Sequence, residues 1–259
     1  MPVRMIVTDL DGTLLRADKT VSEYTIDVLT RCRARGIRLA FATARPEMAT
    51  ERISRMILPD AVISDGGALA RCGGKTVYSR AVPQEIANEI IRSCLALPDV
   101  GYITAQMANG DYFVSRPIEP GDPLWRDYGH ARYADFSRGI GGDACKITVE
   151  IRNKNTASRL AAENPQATML AFSDENWYCF THNDVNKWVA VRHLAARFGI
   201  FPADVAAFGD DLGDIEMLRG CGFGVAVANA VGEAKAAAVD ICASNDEDGV
   251  ARWLQKHVL

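Results

Sequence analysis

Two aspartates two positions apart, Asp9 and Asp11, stand in the run Asp9-Leu10-Asp11-Gly12-Thr13, directly after the apolar stretch Met5-Ile6-Val7-Thr8. A short apolar run closed by turn residues reads as a buried strand that delivers its last residues to a loop. Two more runs end in the same way. Ile37–Ala42 runs into Thr43-Ala44-Arg45, and Asp204–Phe208 runs into Gly209-Asp210-Asp211, with Asp214 close behind. Lys187 opens a stretch with helical periodicity. One polar strand end is ordinary. Several of them, with Asp-x-Asp-Gly-Thr among them, mark a site at the carboxyl edge of an open α/β sheet.

These residue types suit phosphoryl transfer. Phosphate monoesters hydrolyse so slowly that enhancements of up to about 10²¹ are needed. A carboxylate nucleophile divides the reaction into transfer to the enzyme and release to water. A second carboxyl two residues on can protonate the leaving alcohol and later take a proton from water. Four clustered carboxylates, Asp9, Asp11, Asp210 and Asp214, repel a phosphate dianion. One divalent cation, the ammonium of Lys187 and a proton on Asp11 bring their formal charge to zero. A hard, oxygen-seeking cation follows, with Mg²⁺ the default. Thr43 and the Ala44 N–H are candidate donors to the oxygens that are not transferred, and Arg45 is equally a candidate substrate contact and a plain surface salt-bridge partner.

The elements that must hold these groups follow from periodicity. The spacing predicts strand, helix, strand, helix, strand over the first 82 residues. Thr20 and Glu23 form an expected capping box for the first helix, Pro46 opens the second, and Ala61–Ser64 is a third strand followed by Gly66-Gly67. That rhythm implies a parallel sheet with helices on both faces. From Pro83 it changes. A helix to about Leu97, a hairpin at Asn109-Gly110, a Gly/Pro/Asp-rich loop over 116–144, a strand Cys145–Ile151, a helix Asn155–Glu163 and strands at 167–172 and 177–182 are predicted. The α/β alternation resumes with a helix Lys187–Phe198 ended by Gly199 and closes with a helix Val250–Val258. The expected organisation is a Rossmann-like parallel-sheet core, residues 1–82 and 184–259, interrupted by an α+β domain over 83–183.

Composition narrows the function classes. The 259 residues are 48% hydrophobic and 24% charged, as in a globular protein with a sizeable core, and the formal net charge is −4. Scattered Lys and Arg argue against nucleic acid as a partner. No apolar stretch is long enough for a membrane span, and the N-terminal residues lack a signal-peptide pattern. Seven dispersed cysteines without a C-x-x-C suggest buried thiols in a reducing, cytoplasmic compartment. A small-molecule phosphoester acted on by a monomer or homodimer is the expected partner.

The chain resembles the haloacid dehalogenase superfamily, in particular its Cof-type sugar phosphatases. Asp9-Leu10-Asp11-Gly12-Thr13-Leu14 is similar to the first family motif, Thr43-Ala44-Arg45 to the second, Lys187 to the third and Gly209-Asp210-Asp211-Leu212-Gly213-Asp214 to the fourth. Ala226–Ala230 and Glu247–Ala251 also match the branch. The resemblance implies a cap inserted between the second and third motifs. It implies Asp9 as nucleophile and metal ligand, and Asp11 as general acid/base whose backbone carbonyl binds the metal. Asp210 and Asp214 complete or support the metal site, and Thr43, Ala44 and Lys187 hold the phosphoryl group. Three positions depart from the pattern: Ala44 stands for Gly, Gly213 for Asn, and Gly66-Gly67-Ala68 for Asn-Gly-Ala. A phosphomutase or phosphotransferase would use the same aspartyl-phosphate, and a non-catalytic regulator would keep only the binding. Asp211 reads as an N-cap, Asn229 as a packing residue, and Trp125, Tyr128, His130 and His182 as inserted-domain residues with no assigned role.

Overall fold

The structure is a computed structural model that describes residues 2–122, 125–171 and 176–259. The chain forms two compact units, residues 1–78 with 186–259, and residues 79–185. Sequence periodicity put the crossings at 82/83 and 183/184.

In the first unit the chain runs β1 (Met5–Thr8), α1 (Glu23–Ala34), β2 (Arg38–Ala42), α2 (Glu51–Ile57), β3 (Ala61–Ser64), β4 (Leu69–Cys72) and β5 (Lys75–Ser79). The second unit follows as α3 (Gln84–Leu95), β6 (Val100–Met107), β7 (Tyr112–Val114), α4 (Trp125–Tyr128), β8 (Arg132–Tyr133), β9 (Ala144–Ile151), α5 (Lys154–Glu163), β10 (Ala167–Ala171) and β11 (Trp177–His182). The chain then returns to the first unit with α6 (Lys187–Phe198), β12 (Val205–Gly209), α7 (Ile215–Gly220), β13 (Phe223–Val227), α8 (Gly232–Ala237), β14 (Asp240–Cys242) and α9 (Gly249–His257).

The first sheet has the order β14-β13-β12-β1-β2-β3-β4-β5, parallel from β14 to β3. Alternation along β1 explains why both faces are covered. Ile6 packs with Val28 and Leu29 of α1 and Leu254 of α9, whereas Met5 and Val7 pack with Val191 and Leu194 of α6 and Met217 of α7. A strand buried on both sides carries a continuous apolar run, which is what made β1 readable. β4 is a finding beyond the sequence pattern: after Gly66-Gly67 the chain reverses and adds it antiparallel to β3.

The second sheet has the order β10-β11-β9-β6-β7-β8, antiparallel except for the short β7–β8 pair. One face, with Ile103, Ala105, Ile147, Val149 and Phe180, packs on Ile90 and Ile91 of α3 and Leu160 of α5. The Asn109-Gly110 turn joins β6 to β7 as expected, Gly110 donating to the Met107 carbonyl. The 116–144 segment, expected mostly as loop, contains α4 and β8. The expected strand 167–172 is β10 as far as Ala171, and Phe172 lies outside the described residues.

The first helix corrects an expectation. Its N-cap is Ser22, whose side chain accepts from Thr25 N at 3.0 Å. Thr20 is engaged elsewhere: its N–H and its hydroxyl both donate to Asp18 Oδ1 in the preceding turn. A cap must sit next to the first helical residue, and Ser22 does.

Candidate active site

β1 lies between β2 and β12, so the residues following these three parallel strands converge. Asp9 follows β1, Thr43 follows β2 and Asp210 follows β12. The Asp9 N–H donates to the Phe208 carbonyl at 3.0 Å, which ties the first loop to the neighbouring strand end. Lys187 is the first residue of α6, whose N-cap Asn186 accepts from Val189 N at 2.8 Å. The helix start thereby aims a buried ammonium at the cluster. Lys187 Nζ donates to Asp9 Oδ1 at 2.7 Å and to Asp214 Oδ1 at 2.6 Å.

The loop after β12 is built to hold Asp214. Asp211 caps a short 3-10 turn, Leu212–Asp214, so the N-cap reading of that residue agrees with its geometry. Asp214 Oδ2 accepts from the N–H groups of Asp210 and Asp211 at 3.0 and 3.1 Å. Both Asp214 oxygens are therefore committed. Asp210 Oδ1 takes the Thr13 hydroxyl at 2.6 Å. Asp9, Asp210 and Asp214 each offer an oxygen within 4.8 Å of the others.

Two glycines are required by this crowding. Gly12 has φ +77°, and a side chain there would meet the Asp210 carboxylate. Gly67 has φ +107°, and a side chain there would meet the Asn186 carbonyl and the Lys187 N–H. Gly67→Ala should therefore push the start of α6 off its seat, at a cost of about 1–3 kcal/mol, read as a lower denaturant midpoint. An unchanged midpoint would contradict that close approach. Gly66 and Gly213, where the resemblance leads one to expect Asn, face open space.

Burial and crowding decide the protonation. Burial raises the Asp9 carboxyl to about 8; Lys187 opposes this, and Asp214 and Asp210 add to it. Burial likewise raises Asp210 to about 6 against the Thr13 hydrogen bond, with Asp214 adding. Burial alone would lower the Lys187 pKa, but Asp214 and Asp9 outweigh it and the ammonium is held above its ordinary range. The donor set is all oxygen, it is over-supplied with negative charge, and one ammonium does not balance it. Such a set fits a hard divalent cation. Binding that cation must displace the protons held on Asp9 and Asp210. Its affinity should therefore rise between about pH 6 and about pH 8. Titration calorimetry in buffers of different ionisation enthalpy reads the released protons, and a pH-independent affinity without release would contradict this.

Asp11 stands apart from the three-carboxylate cluster. Arg45 grips it with Nε on Oδ2 at 2.6 Å and Nη2 on Oδ1 at 2.8 Å, and Lys19 Nζ adds a bond to Oδ1 at 2.8 Å. Burial pushes this carboxyl up, but the Arg45 and Lys19 bonds and charges win and hold it at about 2. The charge balance drawn from the sequence placed a proton on Asp11. Here its charge is met by two cations instead. Arg45, for which a substrate contact and a salt bridge were equal expectations, forms a salt bridge with Asp11. Thr43 is buried, and its hydroxyl accepts from Arg45 N at 3.1 Å, while Ala44 is exposed beside it. Asn229 is a strut, donating to the Gly12 carbonyl at 2.7 Å and accepting from Asn245 N at 3.0 Å. His182 accepts from the Asp184 N–H within the second unit, where Tyr128 packs against Tyr112. Sequence reasoning missed Lys19 and the Thr13 hydroxyl. Thr13 lay inside a quoted run, whereas no periodicity or motif pointed to Lys19.

The sequence profile of haloacid dehalogenase-like hydrolases matches residues 6–254. The chain belongs to this family. The 5-amino-6-(5-phospho-D-ribitylamino)uracil phosphatase YitU of Bacillus subtilis is 25% identical over 264 residues, covering 98% of this chain and 97% of that protein. The phosphatase of the same name YbjI from Escherichia coli is 26% identical, covering 99% of this chain and 96% of its own. A solved sugar phosphatase of haloacid dehalogenase subclass IIB superposes with a TM-score of 0.83 at 24% identity, covering 98% of both chains. A haloacid dehalogenase-like hydrolase from Bacteroides thetaiotaomicron gives 0.84 at 22%, covering 98% of this chain and 99% of that one. The fold is thus that of haloacid dehalogenase hydrolases of subclass IIB, and the chain is a hydrolase whose acidic cluster suits the divalent cation of the family. No described helix is long and apolar enough to cross a membrane.

Proposed function

We propose that this chain is a magnesium-dependent phosphatase in which Asp9 takes the phosphoryl group of a small phosphorylated metabolite and passes it to water. The observation that carries the reading is the buried Asp9–Lys187–Asp214 bridge beside Asp210, at the edge of a parallel sheet. Naming among the relatives, which are phosphatases of a phosphorylated ribityl compound and of sugars, supports the substrate class.

The groups divide the work as follows. Asp9 attacks phosphorus. The bond to the leaving oxygen breaks with its electron pair on that oxygen, which takes a proton from Asp11. Water then attacks phosphorus, gives a proton to Asp11, and the Asp9–phosphorus bond breaks to release inorganic phosphate. Asp11 must gain its proton before the first step and so must loosen from Arg45 or Lys19. Lys187 neutralises the phosphoryl oxygens and orients Asp9, with Thr43 and the Ala44 N–H as further donors. Asp9, Asp210 and the Asp11 backbone carbonyl would hold Mg²⁺, with Asp214 steadying Lys187 and the Asp210 loop. When bound, the cation supplies positive charge that offsets the phosphate dianion and keeps Asp9 ionised. The inserted 79–185 unit is assigned the choice of substrate. Buried thiols such as Cys32, Cys94 and Cys221 suit a reducing cytoplasm.

The test is phosphate release across phosphorylated sugars, ribityl compounds, nucleotides and cofactors, with magnesium and with chelator. Magnesium-dependent release from members of the panel is the expected result. Release that chelator leaves untouched would remove the proposed metal role, and silence across the panel would remove the phosphatase reading.

A further inference from the structure

Three consecutive residues after β13 reach both loops that carry the acidic cluster. Asn229 Nδ2 donates to the Gly12 carbonyl at 2.7 Å, in the loop after β1. The Val231 N–H donates to the Asp210 carbonyl at 2.9 Å, in the loop after β12. Ala230, between them, is buried in the core with Leu10, Leu14 and Leu15. The turn is itself tied down. Ala230 N donates to the Val227 carbonyl at 2.9 Å, and Asn245 N donates to Asn229 Oδ1 at 3.0 Å. Asn245 Nδ2 in turn donates to the Leu15 carbonyl at 2.9 Å. Asn229 is exposed, yet both ends of its amide are engaged. Packing does not account for it, and its two hydrogen bonds do. What the amide holds is the most permissive backbone of the loop. Gly12 has φ +77°, and a glycine leaves the peptides beside it free to swing unless they are bonded. A side chain at Gly12 would meet the Asp210 carboxylate, and one residue on the Thr13 hydroxyl donates to Asp210 Oδ1 at 2.6 Å. The Gly12 carbonyl and the Asp210 loop are thus held by one turn.

We propose that the 229–231 turn is a brace that fixes the spacing of the loops after β1 and β12, and that Asn229 is a positioning residue by which the site prefers Mg²⁺ to Ca²⁺. This rests on the reading of the acidic cluster as a site for a divalent cation. Mg²⁺ demands oxygens at about 2.0–2.1 Å in a near-octahedral arrangement, whereas Ca²⁺ accepts longer distances, about 2.3–2.6 Å, in a flexible shell. A site whose two loops are free to drift apart therefore loses Mg²⁺ affinity before it loses Ca²⁺ affinity. The brace touches none of the carboxylate oxygens. It acts only through the backbone carbonyls of Gly12 and Asp210.

The experiment is titration calorimetry of the full chain with Mg²⁺ and, separately, with Ca²⁺, at one fixed pH. Asn229→Ala should bind Mg²⁺ on the order of tenfold more weakly, with Ca²⁺ affinity changed by about twofold at most. The melting temperature of the metal-free protein should hardly move, because the side chain removed is exposed. Val231→Pro tests the other arm of the brace. Val231 has φ −62°, which proline adopts, so the substitution deletes the N–H without changing that angle. It should shift the ratio of the two affinities against Mg²⁺ as well. Should the proline variant not fold, Asn229→Ala alone decides. A wild-type ratio in folded Asn229→Ala, whether both affinities hold or both fall together, would overturn the proposal and leave the metal site standing. A wild-type protein that binds neither cation would overturn the metal reading and this proposal together.

Discussion

Asp9→Asn should abolish magnesium-dependent phosphate release, by about 10⁴-fold or more, because an amide cannot form the covalent intermediate. The fold should survive. Asn has the shape of Asp, and Lys187 keeps its bond to Asp214 at 2.6 Å. The sign of the stability change follows from protonation. Without cation the folded protein holds the Asp9 proton up to about 8, far above an unfolded carboxyl. The stability that this proton contributes is present at low pH and is lost as pH rises toward about 8. The variant has no such loss, so metal-free Asp9→Asn should match the wild type at low pH and exceed it near pH 8. Retained turnover in a folded variant would remove Asp9 from the chemistry.

The second large effect is on stability as well as rate. Lys187→Met removes the ammonium that bridges Asp9 and Asp214 in the interior. Breaking a buried ion pair from one side strands the other charge, at a cost of about 3–5 kcal/mol. The deficit should be worst where the carboxylates are forced to ionise. With Lys187 gone, the Asp9 carboxyl is raised further, so the variant should lose stability steeply as pH climbs through neutrality. Magnesium should recover part of the loss by mass action, about 2.7 kcal/mol at a hundred times its dissociation constant. Chemical denaturation of both proteins across pH, with and without magnesium, checks this. A variant as stable as the wild type at pH 8 without cation would contradict the electrostatic account of the cluster.

How far the sequence led depends on the kind of signal. β1, β2 and β12 were legible because strands buried on both faces must be continuously apolar, and each is followed by a polar residue, Asp9, Thr43 and Asp210. α6 was legible from its apolar stripe and from Gly199, which closes it in the left-handed conformation. β4 was not, because Leu69–Cys72 is short and follows glycines whose reversal no pattern encodes. The start of α1 was misread because Thr20 and Ser22 both look like caps, and only the Asp18 turn decides between them.

The site divides in the same way. Asp9, Asp210, Asp214 and Lys187 could be picked out because chemistry requires their residue types at strand and helix ends. The partners of Asp11 could not, because Arg45 can equally face a substrate, and Lys19 is placed by a turn rather than by a motif. The ionised state of Asp11 followed only once both cations were seen beside it.

The central claim is that phosphorus is bonded to Asp9 between substrate and product. The stereochemical course at phosphorus tests it most directly, using an aryl phosphorothioate made chiral with two oxygen isotopes and hydrolysed by the magnesium-loaded enzyme in water of the third isotope. Two successive in-line displacements, first by Asp9 and then by water, predict inorganic thiophosphate with retained configuration. Inverted configuration would mean that water attacks the substrate directly, and would contradict the account.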